Sequence, residues 1–261
     1  MAPHTVVLVT GGNTGIGHEI VKKIALNHPD THHVWMGTRD PARGEAALRQ
    51  LGFPSNVTPI PLDITQDTSI DQAVATIQST HNRLDIFIHN AGTAGRDTGV
   101  DTSSGALPET LSLREVYEHV YRVNTISAAV LTDKMTAILE RSHLPKLIFV
   151  LSILGSTTLL ANGGILRPLP WYSLSKAAMN HLCVWYSRMY PRWKVNASCP
   201  GHVATGLNTI ARTDSTDPAN GALNVYRLVM EGPDGLGLVA FLAAMTTQLS
   251  AAACFINILH G

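Results

Sequence analysis

With 19 basic and 19 acidic side chains among 261 residues, the chain has no formal net charge. That balance argues against nucleic acid or an anionic membrane surface as partner and leaves a small molecule as the expected one. The length suits a single domain, residues 1–261, with a core that needs no covalent staples.

Cys183, Cys199 and Cys254 are widely spaced, apolar in setting and joined to no histidine at metal-ligand spacing, so neither a disulfide framework nor a metal site is expected. No basic-then-apolar leader opens the chain and no apolar run reaches membrane-spanning length, which predicts a cytoplasmic protein with no membrane partner.

Short β-branched runs alternate with longer stretches of helical spacing. The periodicity predicts strands over 5–9, 33–36, 57–61, 84–89, 147–151, 195–198 and 254–259, and helices over 15–27, 41–51, 68–80, 113–142, 171–190 and 234–247. This is the pattern of an α/β fold, a doubly wound Rossmann-type parallel sheet of about seven strands with helices on both faces. Right-handed crossovers send the first three strands to one side and the next four to the other, so a ligand crevice should open at the carboxyl ends of strands one and four. Two long irregular connections, 155–170 and 205–233, follow strands on that same side and are expected to form a substrate wall and a substrate lid.

The first strand runs directly into Thr10-Gly-Gly-Asn-Thr-Gly-Ile-Gly17 and then a helix. Gly11, Gly15 and Gly17 allow a tight turn and close backbone approach to a pyrophosphate, which would lie at the helix N-terminus among free N–H groups. Ile16 sits in this turn, and the Asn13 amide can bond a phosphate. The second strand ends in Gly37-Thr-Arg-Asp40, where an adenosine ribose would arrive. An acid at the strand tip would repel a 2′-phosphate; Thr38 stands there instead, followed by Arg39, whose guanidinium favours NADP(H) over NAD(H). Asp40, next in sequence, works against that preference.

Tyr172 and Lys176 are four residues apart in a predicted helix and share one face, so the ammonium can favour the ionised phenol and make it usable as an acid or base. Here the chain resembles the short-chain dehydrogenase/reductase family, in its carbonyl-reductase-like members, over nearly its whole length. The motifs fall in the family's order: Thr10–Gly17 for the glycine turn, Asn90-Ala-Gly92 after strand four, Asn124 in the long helix, Tyr172 and Lys176, and Pro200-Gly-His-Val-Ala-Thr205.

The resemblance implies roles. Tyr172 would be the general acid or base, Lys176 would lower its pKa and hold the nicotinamide ribose, Ser152 would orient the substrate carbonyl, and Asn124 would anchor a proton-relay water. Asp63 would accept from the adenine amino group, Asn90 and Gly92 would lie against the adenosine ribose side of the cofactor, and Val203 and Thr205 would bond the carboxamide. Arg122 is within reach of the cofactor on this reading, and Leu154, Trp171 and His202 join Ser152 at the substrate. The separation of Ser152 from Tyr172 is longer than the family's common spacing, which the insertion over 155–170 explains. The resemblance also implies contacts between copies at the chain's end, hence a homo-oligomer, although Leu259-His-Gly261 replaces the family's usual acidic ending.

Few charges occur in the expected pocket wall, so a bulky, mostly apolar ketone or secondary alcohol is the expected substrate of an NADPH-dependent oxidoreductase. Two rivals use the same residues: an enzyme of the same fold with a non-redox net reaction (epimerase, dehydratase or cyclase), and an NADP-sensing regulator without turnover.

Overall fold

The structure, a computed structural model, describes residues 4–233 and, as backbone, residues 241–243. The chain winds through β1 (Thr5–Val9), α1 (Gly15–Asn27), β2 (His32–Thr38), α2 (Pro41–Gln50), β3 (Val57–Pro61), α3 (Asp67–His81) and β4 (Ile86–His89). It continues through α4 (Leu113–Tyr121), a π-helical turn (Arg122–Ile126), α5 (Ser127–Leu139), β5 (Lys146–Val150), α6 (Thr157–Ala161), α7 (Pro170–Met189), β6 (Lys194–Cys199), α8 (Pro218–Gly221), α9 (Leu223–Met230) and β7 (Phe241–Ala243).

Six strands and the short β7 form one parallel sheet in the order β3-β2-β1-β4-β5-β6-β7, the predicted fan. Alternate residues of each strand face opposite layers. Val6 and Leu8 join Phe87, Phe149 and the inner faces of α3, α5 and α7, while Val7 and Val9 join Val34, Ile88, Ile148 and the inner faces of α1, α2 and α9. With both faces covered, the strands are apolar runs without a polar side.

Two of the predicted helices change. The helix predicted over 113–142 is split by the π-helical turn, where the Ser127 hydroxyl donates to Arg122 O at 2.7 Å. The helix predicted over 234–247 instead contains β7, because a continuous apolar run does not distinguish a helix from a covered strand. The strand predicted over 254–259 lies outside the described residues, as does Cys254.

The second half of the predicted lid is core. Val225, Leu228 and Val229 of α9 are buried against α1 and β5, and the Tyr226 hydroxyl meets His28 Nε2 at 2.8 Å, so these residues do not wall a pocket. Lys146 caps the carboxyl end of the same helix, its ammonium donating to Val229 O at 2.6 Å.

β4 ends in a buried titratable group. His89 is stacked on Phe149 and its Nε2 lies 2.7 Å from Thr132 Oγ1. Because that hydroxyl donates its hydrogen to Ala128 O, His89 Nε2 is the donor and carries a hydrogen. Burial lowers its pKa to about 3, and burial likewise takes His32 and His33 down to about 4.

A folded-state pKa below the unfolded value means that the unfolded chain binds the extra protons. Stability is therefore complete above about pH 6.5 and falls as pH drops toward these values. Between about pH 6.5 and 5, His89 alone should cost on the order of 2 kcal/mol. Urea unfolding across this range should show the loss, and His89→Gln should reduce it by the His89 share while His32 and His33 keep theirs; an unchanged midpoint in wild-type protein would refute the assignment.

Candidate active site

The turn after β1 is built for close approach. Gly11 and Gly15 hold φ of 61° and 56°, the left-handed region that side chains disfavour. A Cβ at Gly17 would lie 2.2 Å from Gly11 O and 2.4 Å from Asn90 Nδ2, so α1 and the turn can touch only through glycine. Asn90 Nδ2 donates to Thr10 O at 2.9 Å and Gly11 O at 3.2 Å, while Thr10 Oγ1 accepts from the N–H groups of Asn90 and Ala91. Asn90 thus splices the end of β4 to the glycine turn.

A crevice of about 530 Å³ opens along the carboxyl ends of β1 and β4, as predicted. Its floor holds Gly11, Asn13, Gly15, Ile16, Asn90 and Gly92. Its outer end holds Thr38, Arg39, Arg43 and Asp63, and its inner end Val150, Tyr172, Lys176 and Thr205.

Arg43 is an addition to the predicted set. Asp40 caps α2, accepting from Ala42 N and Arg43 N, and its second oxygen lies 3.8 Å from Arg43 Nε. The acid that offsets Arg39 in sequence is therefore occupied by a helix cap and by Arg43. The cue was available: Asp-Pro opens a helix, which fixes Arg43 in its first turn beside the strand tip. Asp63 does not cap α3. Its Oδ1 accepts from Thr65 N and Oγ1 at 2.9 and 2.7 Å.

At the inner end, α7 starts on Pro170 and brings Tyr172 and Lys176 to one face, the ammonium 5.7 Å from the ring centroid. Lys176 is buried and donates to Val150 O at 3.0 Å. Ser152 follows β5, where its hydroxyl caps the short 3₁₀ turn Ile153–Gly155 by accepting from Leu154 N. A Cβ at Gly155 would lie 2.6 Å from the Lys176 carbonyl carbon, so glycine here lets the turn press on α7 and sets Ser152 beside Tyr172. Ser156 caps α6 by accepting from Leu159 N.

The electrostatics differ from the expectation that Lys176 depresses the phenol. Dense packing around the half-buried Tyr172 pushes its pKa up to about 12, with Cys199 adding to the rise and a hydrogen bond with the Ser152 hydroxyl opposing it. Burial takes Lys176 down to about 8. Desolvation dominates both groups, so the phenol is a neutral proton donor across the working pH range.

Asn124 lies behind the crevice, buried in the π-helical turn. Its Oδ1 accepts from Thr93 N at 2.8 Å, and its Nδ2 donates to Thr93 O and to Ser175 Oγ, both at 2.9 Å. A wide turn in a helix is a recurrent device at functional sites.

Gly17, Ser152, Val203, Leu154, Trp171 and His202 do not line the crevice, Ser152 lying just past the lining residues Val150 and Leu151. Trp171 is buried with its indole N–H on Ala94 O at 2.9 Å, and Val203 O accepts from Asn208 Nδ2 at 2.9 Å. Arg122 lines a separate surface hollow with Tyr117, Tyr121 and Ile126. Arg96, not singled out in the sequence, lines the crevice and donates to Asn208 O, in the segment predicted as a lid, at 2.9 Å.

A doubly wound parallel sheet with a glycine turn at its switch point defines a dinucleotide-binding α/β protein. The family model for short chain dehydrogenases matches residues 5–216. Short-chain dehydrogenase/reductase ATR10 of Stachybotrys chlorohalonatus is 31% identical over 241 residues, 88% of this chain and 85% of the relative.

Among solved structures, salutaridine reductase from Papaver somniferum superposes with a TM-score of 0.76 at 24% identity, over 92% of this chain and 99% of the other. An NADPH-bound carbonyl reductase from chicken fatty liver gives 0.75 at 24% identity, over 92% and 96%. The chain belongs to the short-chain dehydrogenase/reductase family of oxidoreductases.

Proposed function

We propose that the protein is an NADPH-dependent ketoreductase of the cytoplasm, a single domain acting on a bulky, mostly apolar ketone or the matching secondary alcohol. The observation that carries this reading is the placement of Tyr172 and Lys176 in one crevice with the glycine turn, with Ser152 near enough to the phenol to oppose the rise in its pKa.

The residues fit a nicotinamide dinucleotide: the glycine turn would hold the pyrophosphate, Asp63 the adenine, and Lys176 and Thr205 the nicotinamide end. Bound NADPH would supply the hydride. Tyr172 donates its phenolic proton to the carbonyl oxygen as that oxygen gains charge, Ser152 orients the same oxygen, and the Lys176 ammonium stabilises the phenolate left behind. Hydride and proton together convert ketone to alcohol.

Support for NADPH comes from the paired guanidinium groups of Arg39 and Arg43 at the outer end and from the absence of an acid at Thr38. Arg39→Ala and Arg43→Ala should each weaken NADPH binding about tenfold, the scale of one charge-assisted contact, and leave NADH nearly unchanged. Titration with both cofactors checks this; equal effects on the two would overturn the 2′-phosphate assignment.

Support for an apolar substrate is that, among the described residues, no free charged clamp stands beside Tyr172, since Arg96 is engaged by the backbone carbonyls of Gly206 and Asn208. Steady-state NADPH oxidation should be at least about tenfold more efficient, as kcat/KM, with bulky cyclic ketones than with small keto acids. The reverse preference would overturn the substrate class.

A further inference from the structure

Asp97 lies outside every motif that identified the site, yet it anchors the loop on which the site is hung. Thr93 Oγ1 donates to Asp97 Oδ1, and Asp97 Oδ2 lies 2.9 Å from His119 Nε2 on α4. Thr93 Oγ1 in turn accepts from Gly95 N at 2.9 Å. The loop over 93–95 is thereby tied down at the surface by α4.

That loop holds the first turn of α7 at two points flanking the tyrosine. Ala94 O accepts the indole N–H of Trp171, the residue before Tyr172. The Thr93 backbone grips Asn124, whose amide donates to Ser175 Oγ, and Ser175 Oγ donates to the carbonyl of Tyr172 itself at 2.7 Å. A continuous chain of hydrogen bonds thus runs from His119 through Asp97, Thr93, Asn124 and Ser175 to Tyr172.

We infer that Asp97 is a positioning residue for the proposed reduction, fixing Thr93 at the crevice wall that both residues line, so that Asn124 and Trp171 hold Tyr172 at its working distance from Ser152 and Lys176. The contribution of Asp97 to global stability is small by comparison. Its carboxylate is 41% exposed, and exposed ion pairs add little to folding. What it supplies is order in one loop, and a displacement of the order of 1 Å at a reacting group is enough to slow chemistry greatly.

This inference rests on the ketoreductase reading, and the test separates the two. Wild-type protein and Asp97→Asn, which keeps the shape and removes the charge, are compared for turnover with NADPH and a bulky ketone, for NADPH affinity and for thermal midpoint. The expected result is a kcat about tenfold lower, with NADPH affinity and midpoint held. Thr93→Val, which removes the hydroxyl and keeps the backbone that grips Asn124, should lower kcat in the same way and serves if Asp97→Asn fails to fold.

An unchanged kcat, or a loss matched by equal losses of cofactor affinity and midpoint, overturns the inference. If the wild type turns over no ketone, the ketoreductase reading falls, and positioning is then read from the Tyr172 phenol alone. Its ultraviolet titration, taken as the difference from Tyr172→Phe in each background, should shift between wild type and Asp97→Asn; identical curves overturn the inference.

Discussion

Tyr172→Phe should lower kcat for ketone reduction by about 10²–10⁴, the range for losing a positioned general acid, while NADPH affinity stays within about threefold. The split follows from the geometry. The ring packs at the head of α7 beside the Lys176 ammonium, and a phenyl group keeps that packing; only the hydroxyl is lost. The phenol is neutral up to about pH 12, so its own ionisation does not limit reduction under ordinary conditions.

Lys176 does limit it. With a pKa brought down to about 8, Lys176 loses its charge as pH rises, and with it the stabilisation of the phenolate that forms on proton transfer. The reduction rate should hold below that pH and decline above it. Paired pH profiles of kcat for wild type and Tyr172→Phe, with cofactor titrations, check both statements. Comparable losses of kcat and of NADPH affinity in the variant would show that the ring, and not the proton, was the contribution.

Gly17→Ala should abolish measurable NADPH binding, a loss of at least about 100-fold, and lower stability by about 1–3 kcal/mol. The added methyl would meet Gly11 O at 2.2 Å and the Gly11 carbonyl carbon at 2.9 Å, both backbone atoms of the turn. No side-chain rotamer relieves such a contact, so the turn or α1 must move, and Asn90, which lies 2.4 Å from the same position, loses its splice to Thr10 and Gly11. Gly232→Ala, where no atom of the described residues lies within 4 Å of the added carbon, is the matched control. Equilibrium titration with NADPH beside urea unfolding separates the two losses; near-native affinity in Gly17→Ala would contradict the cradle's geometry.

Much of this was legible because parallel strands covered on both faces leave an unambiguous trace. The runs at β1 and β3 were read to the residue, since β-branched segments bounded by glycine, asparagine or proline admit few other readings. The glycine turn and the Tyr172–Lys176 pair were equally plain, because each demands particular residue types at fixed spacing.

What the sequence hid was contact between distant segments. The π-helical turn leaves no mark, as apolar spacing continues across it from α4 to α5, and only Thr93, thirty-one residues before Asn124, shows why that turn points inward. Trp171 reads as a substrate contact by adjacency to Tyr172, yet the carbonyl it meets belongs to a loop 77 residues earlier. The apolar spacing of α9 is the same whether that helix lines a pocket or closes the core against Ile20 and Ile148; the fold chooses the core. Gly155 could have been found, since a glycine three residues beyond Ser152 is where a tight turn must pass the next helix.

On the proposed reading, Tyr172 delivers a proton to a ketone oxygen in a crevice holding NADPH. That step is tested most directly by a single turnover in which protein loaded with NADPH is mixed with a bulky apolar ketone and the absorbance of the reduced nicotinamide is followed. One exponential loss of that absorbance is expected in the wild type, and none on the same timescale in Tyr172→Phe loaded to the same extent. A wild-type complex that holds NADPH and leaves it unoxidised with every ketone offered would contradict the claim and favour a cofactor-sensing role.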